Sequence, residues 1–196
     1  QALAGAGRDD ALLLFNTLGW ERDGEIQIPG AALPAGTVPD GQDVVSQRVR
    51  PPAGPDRLAV SGVSLPALGA ARLPLRRGRP SGRSPFTLHE NARGLRIDTP
   101  TLRARLDGSG RITSLVHRAS GRQVVADGGA LNTFWLGEDV PAAWDNWDID
   151  FDQQFKMQAQ TELLSRKVVD GPLQLRVRQV VRIGTDSKLT QDIVFH

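Results

Sequence analysis

The residue types best suited to chemistry are concentrated in residues 132–155. This stretch, NTFWLGEDVPAAWDNWDIDFDQQF, holds three of the four tryptophans and six carboxylates, and no Lys or Arg occurs between Arg122 and Lys156. A pyranose stacks its apolar face on an aromatic ring, and its hydroxyls donate to charged acceptors. The composition therefore suits a sugar-binding surface. The alternative, in which Trp144 and Trp147 are core residues and the aspartates cap turns or meet arginines from elsewhere, stays open.

Other catalytic constellations are absent or weak in the sequence. His89, His117 and His196 form no ligand-spaced pair, and the chain has 0 cysteines, which excludes disulfides and thiolate metal sites. No phosphate loop, dinucleotide fingerprint or nucleophile elbow occurs. Two carboxylates can act as acid and nucleophile on a glycoside, but the number of acids here singles out no pair. We therefore predict no catalytic residue and no metal site in this chain.

Bulk composition is that of a globular protein with little net charge. The chain has 196 residues, 39% hydrophobic and 23% charged, with a formal net charge of +2. No apolar run of about 18 residues occurs, so we expect no membrane contact. Basic charge is almost all arginine, with only Lys156, Lys167 and Lys188, which indicates a GC-rich genome. Together with the absence of cysteine, this favours a bacterial cytoplasmic protein that binds no nucleic acid.

Short alternating apolar runs separated by Gly, Pro, Asp and Asn predict an all-β fold. The predicted strands cover residues 11–16, 25–29, 44–49, 57–65, 94–99, 102–106, 111–116, 123–126, 173–183 and 189–195. Asp107-Gly108-Ser109-Gly110 is typical of a hairpin turn, because its glycines accept positive φ. We expect Trp20 to be buried by the strands of the first part of the chain.

One break divides the strand pattern. No apolar residue occurs between Leu75 and Phe86, where Gly, Pro and Ser surround each arginine without interleaved aromatics. This composition favours a solvated linker over a site for a phosphate backbone. We predict a small β-sandwich over residues 1–75, a linker over residues 76–85 and a second β-domain over residues 86–196.

Several motifs resemble those of family 38 glycoside hydrolases, the α-mannosidases. Glu138-Asp139-Val140-Pro141 followed by Trp144-Asp145-Asn146-Trp147-Asp148-Ile149-Asp150 is similar to a motif of that family, in which an acidic loop with a proline leads into a Trp-Asp-x-Trp-Asp segment. The run from Asn16 to Arg22 resembles the strand entry that follows the family's helical bundle. Residues 63–69, Glu90-Asn91 and Thr190-Gln191-Asp192 also occur in the family's order.

The resemblance implies a non-catalytic piece of a larger enzyme. Its fold would be a small β-sandwich followed by the start of a galactose-mutarotase-like β-supersandwich, truncated at its C-terminal end. The family's zinc and its Asp nucleophile lie in an N-terminal catalytic domain, which would be the main partner of this chain. The whole enzyme would hydrolyse terminal α-mannosides with retention. The resemblance places Trp144, Asp145, Trp147 and Asp148 at the substrate cleft or at the domain interface.

Two other functions remain open at this point. A free-standing carbohydrate-binding module would use Trp144 and Trp147 as its platform. A protein-interaction sandwich would recruit a partner through its exposed final strand, residues 189–195. If the chain is instead a non-catalytic piece of a larger enzyme, we predict that the isolated chain is inactive and binds no zinc.

Overall fold

Residues 11–80, 82–140 and 150–196 are described by a computed structural model. Almost all of the regular structure in these residues is extended, which confirms the predicted all-β class. The strands are β1 (Ala11–Phe15), β2 (Ile26–Pro29), β3 (Thr37–Pro39), β4 (Val45–Val49), β5 (Arg57–Ser61), β6 (Ala70–Arg77), β7 (Thr87–Asn91), β8 (Gly94–Asp98), β9 (Leu102–Asp107), β10 (Ile112–His117), β11 (Phe134–Leu136), β12 (Gln158–Gln160), β13 (Leu163–Val169), β14 (Leu175–Ile183) and β15 (Ser187–Phe195). A 3-10 turn (Gly30–Ala32) and a short helix α1 (Gln153–Lys156) complete the set.

The chain forms two compact units. The first comprises the described part of Gln1–Pro85 together with Val169–Arg176 and Val194–His196, and the second comprises Phe86–Val168 and Val177–Ile193. Leu75 and the two arginines after it lie in β6, where Thr37 pairs with Arg77, so this strand extends into the arginine-rich stretch. The division into a domain, a linker and a second domain stays a prediction.

The first unit contains two three-stranded sheets, in the orders β1-β6-β3 and β2-β5-β4. Strand β1 shows how each sheet contributes to the core: Leu12 and Leu14 are buried, whereas the alternate residues Leu13 and Phe15 are exposed. Alternation of this kind places one face of a strand in a core. The core cluster takes its members from both sheets and their connections: Leu12, Leu14, Ile28, Leu58, Val60, Val63, Leu65, Leu73 and Leu75. Burial of these side chains holds the two sheets together as a sandwich.

The second unit is built on a four-stranded antiparallel sheet in the order β10-β9-β8-β7. Its hairpin between β9 and β10 is the one that the Asp-Gly-Ser-Gly motif predicts. Asp107 O accepts from Gly110 N at 3.1 Å, and Asp107 Oδ1 accepts from Ser109 N at 2.9 Å. A two-stranded sheet, β11-β12, also lies in this unit, and the last strands form a sheet in the order β13-β14-β15.

Two expectations about local structure are wrong. Trp20 is 63% exposed, because residues 17–20 form an irregular connection and not a strand. Trp20 contributes to the structure through its backbone, because Trp20 O accepts a hydrogen bond from Nδ2 of the buried Asn16 at 2.7 Å. Residues 123–126 are not a strand either, because Gln123 makes only an isolated bridge with Val116.

Strands β3, β6, β7, β11, β12 and β13 were not predicted. Proline, which is unfavourable inside a strand, occurs in β3 and at position 74 in β6. Strand β7 is exposed along its whole length, so no alternation of apolar and polar residues marks it. Among the described residues, no helix has the length and apolar character that a membrane span needs.

Candidate functional site

Trp144, Asp145, Trp147 and Asp148, the candidate site residues, fall within residues 141–149, outside the described residues. Their place at a cleft or an interface stays a prediction. The chain is described on both sides of them, in the second unit. We call residues 134–140 and 150–157 the acidic–aromatic segment.

A short antiparallel ladder brings the two ends of this segment together. Phe134 pairs with Gln160, Trp135 with Ala159 and Leu136 with Gln158. Among the described residues β11 and β12 form a sheet of two strands, so this ladder holds Leu136 and Gln158 opposite each other at the two ends of the intervening stretch.

Contacts beyond the ladder hold the two flanks side by side. Gln153 Nε2 donates to Glu138 O at 3.1 Å. At Gly137 an added Cβ would lie 2.9 Å from Met157 Sδ and 3.2 Å from Gln153 Nε2. A side chain at position 137 would therefore displace the ends of the Met157 and Gln153 side chains, and glycine leaves room for these contacts.

Large apolar side chains of the segment face solvent. Phe151 is 83% exposed and Phe155 is 76% exposed, and their rings pack edge to face with centroids 6.1 Å apart. Trp135 is 60% exposed, and Val140 is exposed as well. Exposed aromatics gathered on one segment mark interaction sites, because burying each ring would remove a large apolar area from water.

The segment is strongly acidic around these rings. Its described carboxylates are Glu138, Asp139, Asp150 and Asp152, and its single cation is Lys156. Lys156 Nζ lies 2.9 Å from Asp152 Oδ2. This hydrogen bond is the largest cause that raises the pKa of Lys156; desolvation opposes it, and the charges of Asp152, Asp150 and Glu138 add to it. The excess of negative charge suits a cationic or hydroxyl-rich partner.

The sequence motif favours Trp144 and Trp147 and does not single out Trp135, Phe151 or Phe155, whose rings the structure shows to be exposed or in contact with one another. The signal was present, because all three lie in the same acidic stretch. Burial could not be read from the stretch, since its pattern has no regular period. No group of three or more His, Asp or Glu side chains within the described ranges is placed to hold a metal ion.

Comparison with known proteins places the chain in a family. Residues 97–196 match the family described as "Glycosyl hydrolases family 38 C-terminal domain". The chain belongs to glycosyl hydrolase family 38. The match covers the region from the middle of β8 to the last residue, and it includes the acidic–aromatic segment.

Two curated relatives of family 38 match almost the whole chain. It is 30% identical over 203 aligned residues to alpha-mannosidase 2C1 of Homo sapiens and 28% identical to alpha-mannosidase 2C1 of Mus musculus. In both cases the alignment covers 97% of this chain and 17% of the relative. The chain thus spans about one sixth of the length of these family 38 proteins.

Proposed function

We propose that this chain is the non-catalytic β-rich portion of a retaining α-mannosidase, which hydrolyses terminal α-mannosides. In this role it supports a separate catalytic domain and lines its cleft. The match to the C-terminal domain of family 38 carries the proposal, supported by relatives named alpha-mannosidase of which the chain covers 17%.

The acidic–aromatic segment is our candidate for the contact with that catalytic domain. Phe151 and Phe155 expose apolar area that a partner domain would cover. Glu138, Asp139 and Asp150 would meet arginines or lysines of the partner, or hydroxyls of the mannoside. Trp144, Asp145, Trp147 and Asp148, which lie between the two parts of this segment in sequence, would be at this contact.

The chemistry itself is assigned to the catalytic domain. The resemblance implies a zinc ion and an aspartate nucleophile there, and the part of this chain that the structure describes offers no ligand set for zinc. We assign the chain a supporting role without a cofactor of its own. We further propose a cytoplasmic location, on the basis of the chain's 0 cysteines.

Hydrolysis of a nitrophenyl α-mannoside tests whether catalysis requires the separate catalytic domain. The complete polypeptide that carries these residues should release nitrophenol, whereas the 196-residue chain alone should not. Metal analysis of the dialysed chain should find less than one equivalent of zinc. Hydrolysis by the chain alone, or a stoichiometric zinc site in it, would contradict the proposal.

Substitutions in the complete enzyme test the contact. Phe151→Ala with Phe155→Ala should lower its melting temperature and its kcat/KM, because both rings would be buried against the catalytic domain. Val124→Ala is the matched control, since Val124 is an exposed apolar residue of the same unit outside the segment. If the double variant and the control behave alike, the segment is not the contact.

A carbohydrate-binding module is the second candidate, and the exposed ring of Trp135 favours it. An indole open to solvent offers the flat face on which a pyranose stacks. Calorimetric titration of the chain with methyl α-mannoside separates the candidates. Saturable binding that Trp135→Ala abolishes would support the module, and the absence of binding would support the role within the enzyme.

A further inference from the structure

Another surface of the second unit carries a row of basic side chains. On the sheet β10-β9-β8-β7, His89 pairs with Arg96, Arg96 with Arg105, and Arg105 with Ser114. Residues directly opposite each other on neighbouring strands direct their side chains to the same face. The register therefore places an imidazole and two guanidinium groups in one line across the sheet.

The face that carries this row is the outer one. Leu95 and Ile97, on either side of Arg96, are buried, as are Ala104 and Leu106 on either side of Arg105. Since side chains alternate between the two faces of a strand, the arginines lie opposite the core. Directly paired like charges destabilise a sheet, so the pairing of Arg96 with Arg105 is not explained by stability.

One carboxylate orients part of the row. Asp98 accepts from Arg96 Nε at 2.7 Å and from Arg103 Nε at 2.5 Å. Both bonds use the Nε atoms, and within the described residues the terminal Nη groups of Arg96 and Arg103 donate to nothing. Arg96 is thus held in place by one nitrogen while its remaining donors stay available to a ligand.

Arg105 of the row and one further arginine, Arg93, give this face charge that no carboxylate among the described residues pairs with. Arg105 and Arg93 are exposed, and among the residues that the structure describes neither makes an ion pair. Asp107 is nearby, but Arg111 already binds its Oδ2 through Nε at 3.0 Å and through Nη2 at 2.8 Å. The local balance therefore remains positive.

A concavity of about 450 Å³ opens on this face. Its polar lining is His89, Asn91, Arg93, Arg96, Arg105, Asp107 and Thr113. A bulge in β10 lies beside it, because the register shifts between Ile112 and Ser114. Bulges increase local twist and re-aim side chains, and this one places the Thr113 hydroxyl 3.4 Å from Arg105 O.

We propose that this concavity binds the phosphate group of a small phosphate monoester, such as a hexose phosphate. Guanidinium groups match the geometry of phosphate oxygens and donate to them in pairs. Arg93, Arg96 and Arg105 line one space, and among the described residues Arg93 and Arg105 have no carboxylate partner, while Arg96 is paired with Asp98 through Nε alone. Among the described residues His89 supplies the one aromatic ring of its lining, and no Phe or Trp offers the row of stacking platforms that a single strand uses, so a compact anion fits better. This site is independent of the function proposed above.

Titration of the complete polypeptide at low ionic strength, followed by ³¹P NMR line width, tests the site. The titrated ligands are inorganic phosphate and mannose 6-phosphate. Unphosphorylated mannose, which has no ³¹P signal, is added as a competitor. Phosphate and the monoester should saturate and compete with each other, and mannose should not displace them. The relative affinity of the two anions shows whether the site takes free phosphate or the monoester, and tighter binding of the monoester supports the proposal as stated.

Variants decide whether the row is responsible. Arg93→Gln with Arg105→Gln should weaken binding of the monoester about tenfold or more, because two charge-assisted contacts are lost. Arg122→Gln, which removes an exposed arginine of the same unit outside the concavity, should change affinity less than about twofold. Both positions are exposed, so the variants keep the fold, which thermal melting checks.

Three results would overturn the proposal. One is equal affinity in the double variant and in Arg122→Gln. The second is binding of phosphate alone, with no affinity for the monoester. The third is binding of long polyanions such as heparin or an oligonucleotide at these arginines, while the small anions do not bind.

Discussion

Gln47 and Gln174, 127 positions apart in sequence, are joined by a pair of hydrogen bonds that copies a β-ladder. Gln47 Oε1 accepts from Gln174 N at 2.8 Å, and Gln47 Nε2 donates to Gln174 O at 2.9 Å. The same oxygen also accepts from Leu173 N at 3.0 Å. Both glutamines are buried, so one side chain of β4 satisfies the backbone of a remote segment of the first unit.

Gln47→Ala should therefore lower the free energy of unfolding by about 3 kcal/mol, because it leaves buried N–H and C=O groups without partners. Urea denaturation of the chain measures the change. Gln42→Ala is the control, since Gln42 is exposed, and it should cost less than about 0.5 kcal/mol. A loss at position 47 as small as that of the control would show that water replaces the glutamine.

Asp98 should make stability depend on pH in the acid range. Burial acts to raise its pKa, but hydrogen bonds from Arg96 and Arg103 outweigh burial and hold the pKa below the ordinary value of 3.8. A carboxylate with a lowered pKa in the folded state contributes stability above its unfolded pKa and loses it as the pH falls through the folded pKa. The contribution is thus present above pH 3.8 and fades below it.

Asp98→Asn should reduce the free energy of unfolding at pH 6, and the difference from the unsubstituted chain should shrink as the pH falls below 3.8. Chemical denaturation at a series of pH values measures both. Asp127→Asn, at an exposed turn position, should have little effect at any pH. A difference that grows towards acid pH would have the wrong sign for this explanation.

Gly94 is required by the turn between β7 and β8. Its φ is +147°, and an added Cβ would overlap with Leu106 O on the neighbouring strand. Gly94→Ala should lower the free energy of unfolding by about 2 kcal/mol or more, measured by thermal and urea denaturation. Gly108→Ala provides the comparison, because a Cβ there meets nothing within 4 Å. Equal losses at the two positions would contradict the steric argument.

Limited proteolysis tests the predicted linker. Trypsin should cut first after Arg83, which lies beyond the end of β6 in the arginine-rich stretch; Arg79 precedes Pro80, and trypsin does not cleave that bond. Mass spectrometry of the early fragments identifies the site. Arg96 and Arg103 serve as internal controls, since their strands are paired on both sides. Earlier cleavage at either of these would count against a linker at residues 76–85.

The fold could be predicted wherever strands alternate. In β8 and β9, Leu95, Ile97, Ala104 and Leu106 are all buried, whereas the residues between them in each strand, Arg96 and Arg105, are not. The sequence predicts the bounds of these strands within one or two residues. β7 could not be found this way, because all of its residues are exposed. Its position depends on pairing with β8, which is a tertiary effect and leaves no periodic signal.

The candidate surfaces were predictable to different degrees. Clustered aromatics and acids identified the stretch around Trp135 and Phe151, since composition alone shows them. The basic row could not be predicted from the sequence, because His89, Arg96 and Arg105 lie on three different strands and only the strand register aligns them. Alternating arginines in strands look like ordinary solvated positions until the register is known.

The β11–β12 ladder has a consequence for how this family can diversify. The ladder fixes both ends of the chain between Leu136 and Gln158, so an insertion or deletion inside that span leaves the strands in place. The entropy of closing a loop grows only with the logarithm of its length, and doubling the length costs about 0.6 kcal/mol. The stretch between Leu136 and Gln158 can therefore change in length at little entropic cost while the pairing of β11 with β12 is kept.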